Sequence, residues 1–116
     1  MVRECIFCKI SKGEIPKERI YENNGFFSFL DIHPIARGHS QVISKKHFSN
    51  ILEMPNALGA EFLDCVKNTA LKVMKENNAE GFNLVSNIGD SAGQIVKHIH
   101  VHIIPRKKGD GVKIVG

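Results

Sequence analysis

The 116-residue sequence has no apolar run approaching the roughly 18 residues of a membrane span. Its opening segment, Met1 to Ile10, lacks the long apolar stretch and small-residue cleavage site of a secretory signal. It has only three cysteines, Cys5, Cys8 and Cys65. An odd count without secretory context suits a reducing compartment and argues against a disulfide scaffold. No internal repeat, low-complexity tract or linker interrupts the chain. These absences set the expectation of a cytoplasmic protein with no membrane partner and a single domain, 1–116. What is present agrees, since 42% apolar and 24% charged residues are the composition of a folded chain.

The formal charge of +4 is unevenly placed. Lys97, Arg106, Lys107, Lys108 and Lys113 face a single acid, Asp110, in the segment from Ile95 to Gly116, and the remainder is balanced. Such a segment suits a nucleic acid, a phosphorylated ligand or a solvated tail. It contains no Phe, Tyr or Trp on which bases could stack, which argues against nucleic acid. Cys5 and Cys8 form Cys-x-x-Cys, readable as a redox pair, as half of a zinc site or as two free thiols on a short helix. A redox motif of the thioredoxin kind follows a strand, and only four residues precede Cys5.

Along the chain, Cys5 to Ser11 fits one or two helical turns. Arg19–Glu22 and Phe26–Asp31 read as strands joined by the turn residues Asn23, Asn24 and Gly25. Ser40–Ser44 fits a third strand. Between Pro55 and Asn78, Leu58, Phe62, Cys65, Val66, Thr69 and Val73 recur at helical spacing, with Asn56 as N-cap and Asn77, Asn78 and Gly81 as the stop. Ala60, Leu63, Ala70, Leu71 and Met74 widen its apolar surface, which suits a core helix or a subunit interface. Phe82–Ser86 and Ile95–Ile104 complete the order β-β-β-α-β-β. Short connections favour an antiparallel sheet of about five strands backed by one long helix, an α+β fold.

The last strand carries the strongest signal. Strand side chains alternate, so His98, His100 and His102 share one face, and Lys97, Ile99, Val101 and Ile103 the other. At about 3.3 Å per residue, His98 and His102 lie roughly 13 Å apart, too far to converge on one ion. A division of labour is more natural, with one end histidine joining ligands from elsewhere and the others facing a substrate. Neutral imidazole is a competent nucleophile towards phosphorus near pH 7, and protonated neighbours would stabilise phosphate oxygens.

In His98-Ile99-His100-Val101-His102-Ile103-Ile104 the sequence resembles the His-φ-His-φ-His-φ-φ signature of the histidine triad (HIT) proteins. CIFCKISKGEIP, FLDIHPIARGH, ISKKH and GQIVKHIHVHIIPR match in order, so the resemblance runs nearly the whole chain. It lies nearest the compact bacterial and archaeal members. The resemblance implies a HIT-like fold with a short N-terminal helix, and a nucleotide hydrolase or phosphoramidase. His100 would attack the α-phosphate of a purine nucleotide of AMP or GMP type, forming a nucleotidyl-histidine that water then cleaves. His102 would contact the phosphate, and His98 and His39 would complete the catalytic set. Asp31 would hold the ribose hydroxyls. Ile6, Phe7, Ile10, Phe29 and Ile32 would enclose the base, while Asn87, Gly93, Gln94 and Ile95 would line the phosphate side. Ile95 departs from the Ser or Thr that many members carry there, which bears on rate and leaving group. The resemblance also implies structural zinc on Cys5, Cys8, His47 and His98, no organic cofactor, and a homodimer through the long helix and an edge strand. A nucleotide-binding module without turnover and a zinc-dependent nucleic-acid binder are the rival classes.

Overall fold

The structure is a computed structural model describing residues 5–114. A short helix α1, Ile6–Ser11, precedes the strands β1, Tyr21–Glu22, β2, Phe26–Leu30, and β3, Ser40–Ser44. The long helix α2, Gly59–Glu76, follows, and then β4, Gly81–Val85, and β5, His100–Arg106. The strands form one antiparallel sheet in the order β1-β2-β3-β5-β4, so the histidine-bearing strand is internal. This is the α+β arrangement expected.

Alternation along each strand sorts the core into two layers. Phe26, Val42, Val101 and Ile103 pack against Cys65, Val66, Ala70 and Val73 of α2. Phe27, Phe29 and Ile43 pack on the opposite face against Phe7 and Ile10 of α1. A side chain at His100 or His102 therefore points to the α1 side, away from the α2 core. The hairpin between β1 and β2 is built by Asn23, whose Oδ1 accepts from the Gly25 and Phe26 amides while its Nδ2 donates to Glu61 O of α2.

The boundaries differ from expectation in instructive places. Asn56 does not cap α2: it opens a single 3₁₀ turn, Asn56–Leu58, behind Pro55, with no side-chain cap. The helix stops at Asn77 and Asn78, where Asn78 takes a left-handed φ of 53° and the Ala79 amide reaches back to Met74 O at 2.9 Å. Gly81 begins β4 rather than ending the helix. β1 and β2 are shorter than read, and β4 is shifted by one residue towards the N-terminus. The last strand starts at His100, not Ile95. Before it, the Ile99 amide binds Phe48 O at 2.7 Å, and Lys97 turns back to Asp90 and to Gln94 O. The strand then runs past Ile104 through Pro105, which lies beyond the last residue paired to β3, where no ladder donor towards that strand is required.

Candidate functional site

Cys5 is the N-cap of α1, its Sγ accepting the Cys8 amide at 3.2 Å. That turn directs both thiols towards two imidazoles, His47 from the loop after β3 and His98 from the turn before β5. Cys5 Sγ lies 3.1 Å from Cys8 Sγ, 3.5 Å from His47 Nδ1 and 3.2 Å from His98 Nδ1. Cys8 Sγ is 3.3 Å from His47 Nδ1 and 3.5 Å from His98 Nδ1, and the two Nδ1 atoms are 3.2 Å apart. Bond lengths to zinc imply tetrahedral edges of about 3.3–3.8 Å. The six edges are close to that, and these four residues could hold a metal ion. His98 Nε2–H donates to Ser44 O at 2.8 Å, which leaves Nδ1 bare towards the thiols. Burial pushes the His98 imidazole down to about 4, so the ring is neutral, the form that ligates.

The other two triad histidines separate from this cage, as the strand geometry requires. His100 Nδ1–H donates to the His98 carbonyl at 2.8 Å, so its Nε2 carries the lone pair. Its ring packs edge-on against Phe7 and His102, with centroids 5.1 and 5.2 Å away. His102 Nδ1 is 3.0 Å from His39 Nε2. Because His39 Nδ1 accepts the Ile35 amide at 3.2 Å, the His39 proton is on Nε2 and points at His102. His102 is then a neutral ring with its proton on Nε2. Burial, with His100 and His39 adding to it, pushes His102 down to about 4. The expectation of protonated neighbours is corrected here: His102 offers a neutral N–H donor, not an imidazolium, at pH 7. Burial also lowers His39, against the pull of Asp31.

Asp31 closes the cluster. Its Oδ2 lies 3.5 Å from His39 Nε2 and 3.8 Å from His102 Nδ1, accepts Gln41 Nε2–H at 2.7 Å, and its Oδ1 accepts the His33 amide at 2.8 Å. Burial raises the Asp31 carboxyl, but the bonds from His33 and Gln41 together with His39 and His102 outweigh it, and the net shift is downward. Asp31, His39 and His102 are close enough to bracket a metal ion. The Ile35 bond places a proton on His39 Nε2, so that arrangement is a hydrogen-bond chain rather than a ligand set.

Phe7, Ile10 and Phe29 are buried and mutually packed, with the Phe7 and Phe29 rings 6.3 Å apart. Ile6, Ile32 and Ile95 are exposed, Ile95 to 91%. Phe29, Asp31 and Ile32 line a cavity of about 350 Å³ with Lys17, whose ammonium sits 5.6 Å over the Phe29 ring. The loop carrying Asn87 and Gly93 turns on two left-handed glycines, Gly89 and Gly93. Gln94 is buried. Its amide donates to Ser49 O and Val96 O, and its carbonyl accepts the Gly89 amide. Its side chain holds the loop and is not aimed at the histidines. Lys97 pairs with Asp90 in that loop, and Arg106 is clamped by Asp110 at 2.8 Å through two nitrogens. Of the five basic residues in the C-terminal segment, Lys97 and Arg106 are thereby paired, Lys97 with an acid from outside that segment.

Sequence reasoning passed over Ser44 and Gln41. Ser44 orients His98, and Gln41 orients Asp31. The available signal was parity: His39 and Gln41 are two residues apart at the start of β3, so they share the histidine face.

The HIT domain family matches residues 12–109. An uncharacterized HIT-like protein of Methanocaldococcus jannaschii is 48% identical over 107 residues, 92% of this chain and 82% of that protein. The adenosine 5'-monophosphoramidase of Candida albicans is 44% identical over 108 residues, 89% of this chain and 70% of that protein. The crystal structure of a HIT-family member from Bacillus subtilis superposes with a TM-score of 0.89 at 41% identity, covering 98% of this chain and 82% of that one.

Proposed function

The chain belongs to the HIT domain family, and from that premise we propose that it is a nucleotide hydrolase of the phosphoramidase kind, acting through His100. The observation that carries this reading is the hydrogen bond from His100 Nδ1–H to the His98 carbonyl, which leaves the Nε2 lone pair as nucleophile. In the proposed reaction a bond forms from Nε2 to the α-phosphorus and the P–N bond to the amine breaks. The amine leaves with a proton taken from solvent. Water then attacks phosphorus, the P–Nε2 bond breaks, and nucleoside monophosphate and a proton are released. His102, neutral with a proton on Nε2, donates to a phosphate oxygen as charge develops. Asp31 receives the ribose hydroxyls, Phe7, Ile10 and Phe29 form the floor under the base with Ile6 and Ile32 at its rim, and Asn87, Gly93 and Ile95 frame the phosphate on a loop that the Gln94 side chain holds in place.

The test is turnover of adenosine 5'-phosphoramidate. His100→Asn is expected to bind AMP but to lose activity by on the order of 10³-fold or more. Full activity in that variant overturns the mechanism. A second reading is supported by Ile95, which places an exposed aliphatic side chain where a hydroxyl would assist the leaving group. The chain would then bind nucleotides with negligible turnover. Single-turnover trapping of nucleotidyl-His100 separates the two.

Zinc fits the donor set of two cysteine sulfurs and two imidazole Nδ1 atoms, with Cys5, Cys8, His47 and His98 as ligands. When bound, zinc would serve as a structural cross-link between α1, the loop after β3 and the approach to β5. Untagged protein is expected to carry about one equivalent, and a Cys5→Ser, Cys8→Ser double variant is expected to lose it. The exposed leucines Leu63 and Leu71 on α2 and Leu84 on β4 support a homodimer through these elements.

A further inference from the structure

The single proton on His39 Nε2 has two acceptors within reach, His102 Nδ1 at 3.0 Å and the Asp31 carboxylate at 3.5 Å. A charged carboxylate ordinarily outcompetes a neutral imidazole for an N–H donor. Here it does not, and the difference lies in what already binds Asp31. Oδ2 accepts from Gln41 at 2.7 Å and Oδ1 from the His33 amide. Gln41 lies on β3 directly between Phe29 of β2 and His102 of β5. Its amide cannot be turned over, since that would set Oε1 against the Asp31 oxygen. In the orientation present, Gln41 Oε1 is buried and, among the described residues, the one such side-chain atom without a partner. A leucine of similar shape would avoid that orphaned acceptor. The amide donor must therefore do something that compensates for it.

We infer that Gln41 is a positioning residue: by occupying Asp31 Oδ2, it directs the His39 proton onto His102 and so fixes His102 as the Nε2–H tautomer. The groups facing this chain are Asp31 from the end of β2, His39 from the start of β3, and His100 and His102 from β5. Without the Gln41 donor, Asp31 draws the His39 proton to itself. His102 Nδ1 loses its donor, and the ring is free to move its proton to Nδ1, away from the phosphate. The catalytic consequence rests on the function proposed above, but the tautomer lock does not.

The experiment is two-bond ¹H–¹⁵N correlation of the full chain labelled at histidine, with kinetics on adenosine 5'-phosphoramidate alongside. In the parent protein His102 is expected as the Nε2–H tautomer. In Gln41→Leu, the His102 ring nitrogens are expected to shift towards a mixture of tautomers, with kcat reduced about tenfold or more and KM changed less than threefold. Gln41→Glu is expected to show the same loss near neutral pH. It should recover as the pH falls far enough for a proton shared with Asp31 to restore the donor, a reversal that a merely structural role would not produce. An unchanged His102 tautomer in Gln41→Leu overturns the inference, and a shifted tautomer with unaltered kcat upholds the lock but overturns its catalytic consequence. If the parent protein turns over no nucleotide, the proposed function fails while the tautomer comparison still decides the role of Gln41.

Discussion

At the scale of single residues, His102 ties chemistry to stability. Its folded value is about 4, below the ordinary histidine value of 6.5. Between those values the unfolded chain binds the proton that the folded chain refuses. Stability therefore falls as pH drops from about 6.5 towards 4, by at most about 1.4 kcal/mol per pH unit for this one group. Thermal unfolding at pH 7, 6 and 5 is expected to show a fall in that direction, to which His98 and His39 add, and His102→Gln to make it shallower by the share of one group. The histidine face was legible because period-two alternation set His100 and His102 against Val101 and Ile103, and the fold kept that register. The protonation of the site was not legible. Sequence shows how many histidines share a face, but the tautomers depend on Ile35, His98 O and Gln41, groups brought together only by the loop from β2 to β3 and by the sheet. Gln94 teaches the same lesson in reverse: a polar residue in a glycine-rich loop reads as a phosphate contact, yet its amide is consumed by three backbone groups.

Among the elements, α1 is the one whose stability must come from outside. Six residues make fewer than two turns, too short to persist alone. It is held by Phe7 and Ile10 against the sheet and by the Cys5, Cys8, His47 and His98 cage. Metal removal by a chelator is expected to speed hydrogen exchange of the Lys9 and Lys12 amides, which bond within this helix, while the α2 amides stay protected. Unchanged exchange in α1 would show that packing alone suffices. At the other end of α2, Asn78 sits at positive φ, so Asn78→Ala is expected to cost about 1 kcal/mol and Asn78→Gly to be near neutral in denaturant melts. Helix α2 itself was plain in the sequence, because its apolar stripe is long and unbroken. The start of β5 was not. Ile95, Val96 and Ile99 have strand-like composition, but the Ile99 amide and Lys97 are claimed by Phe48, Asp90 and Gln94 from distant or looped segments.

For the whole molecule, one sheet separates two different interiors, a layer under α2 of aliphatic side chains with Phe26 and Phe62, and a layer of aromatic and histidine rings under α1. The two families of residues were separable by parity alone, which is why fold class and site face could be read together. What parity does not reveal is which exposed apolar side chains meet a second copy. Leu71 is 67% exposed on α2, and Leu71→Glu is expected to move a dimer to monomer in sedimentation velocity at micromolar concentration, with the far-UV spectrum unchanged. A parent protein that sediments as a monomer would refute that interface. Gly38, with φ of +83°, joins these scales. A Cβ there would come within 3.2 Å of Asn77 Cγ at the end of α2 and 3.1 Å of Pro105 Cγ on β5. Having none, the backbone just before His39 rests on both like a shaft in its bearing. A side chain at Gly38 would press on both and strain the segment that presents His39, so Gly38→Ala disturbs helix end, strand and site together.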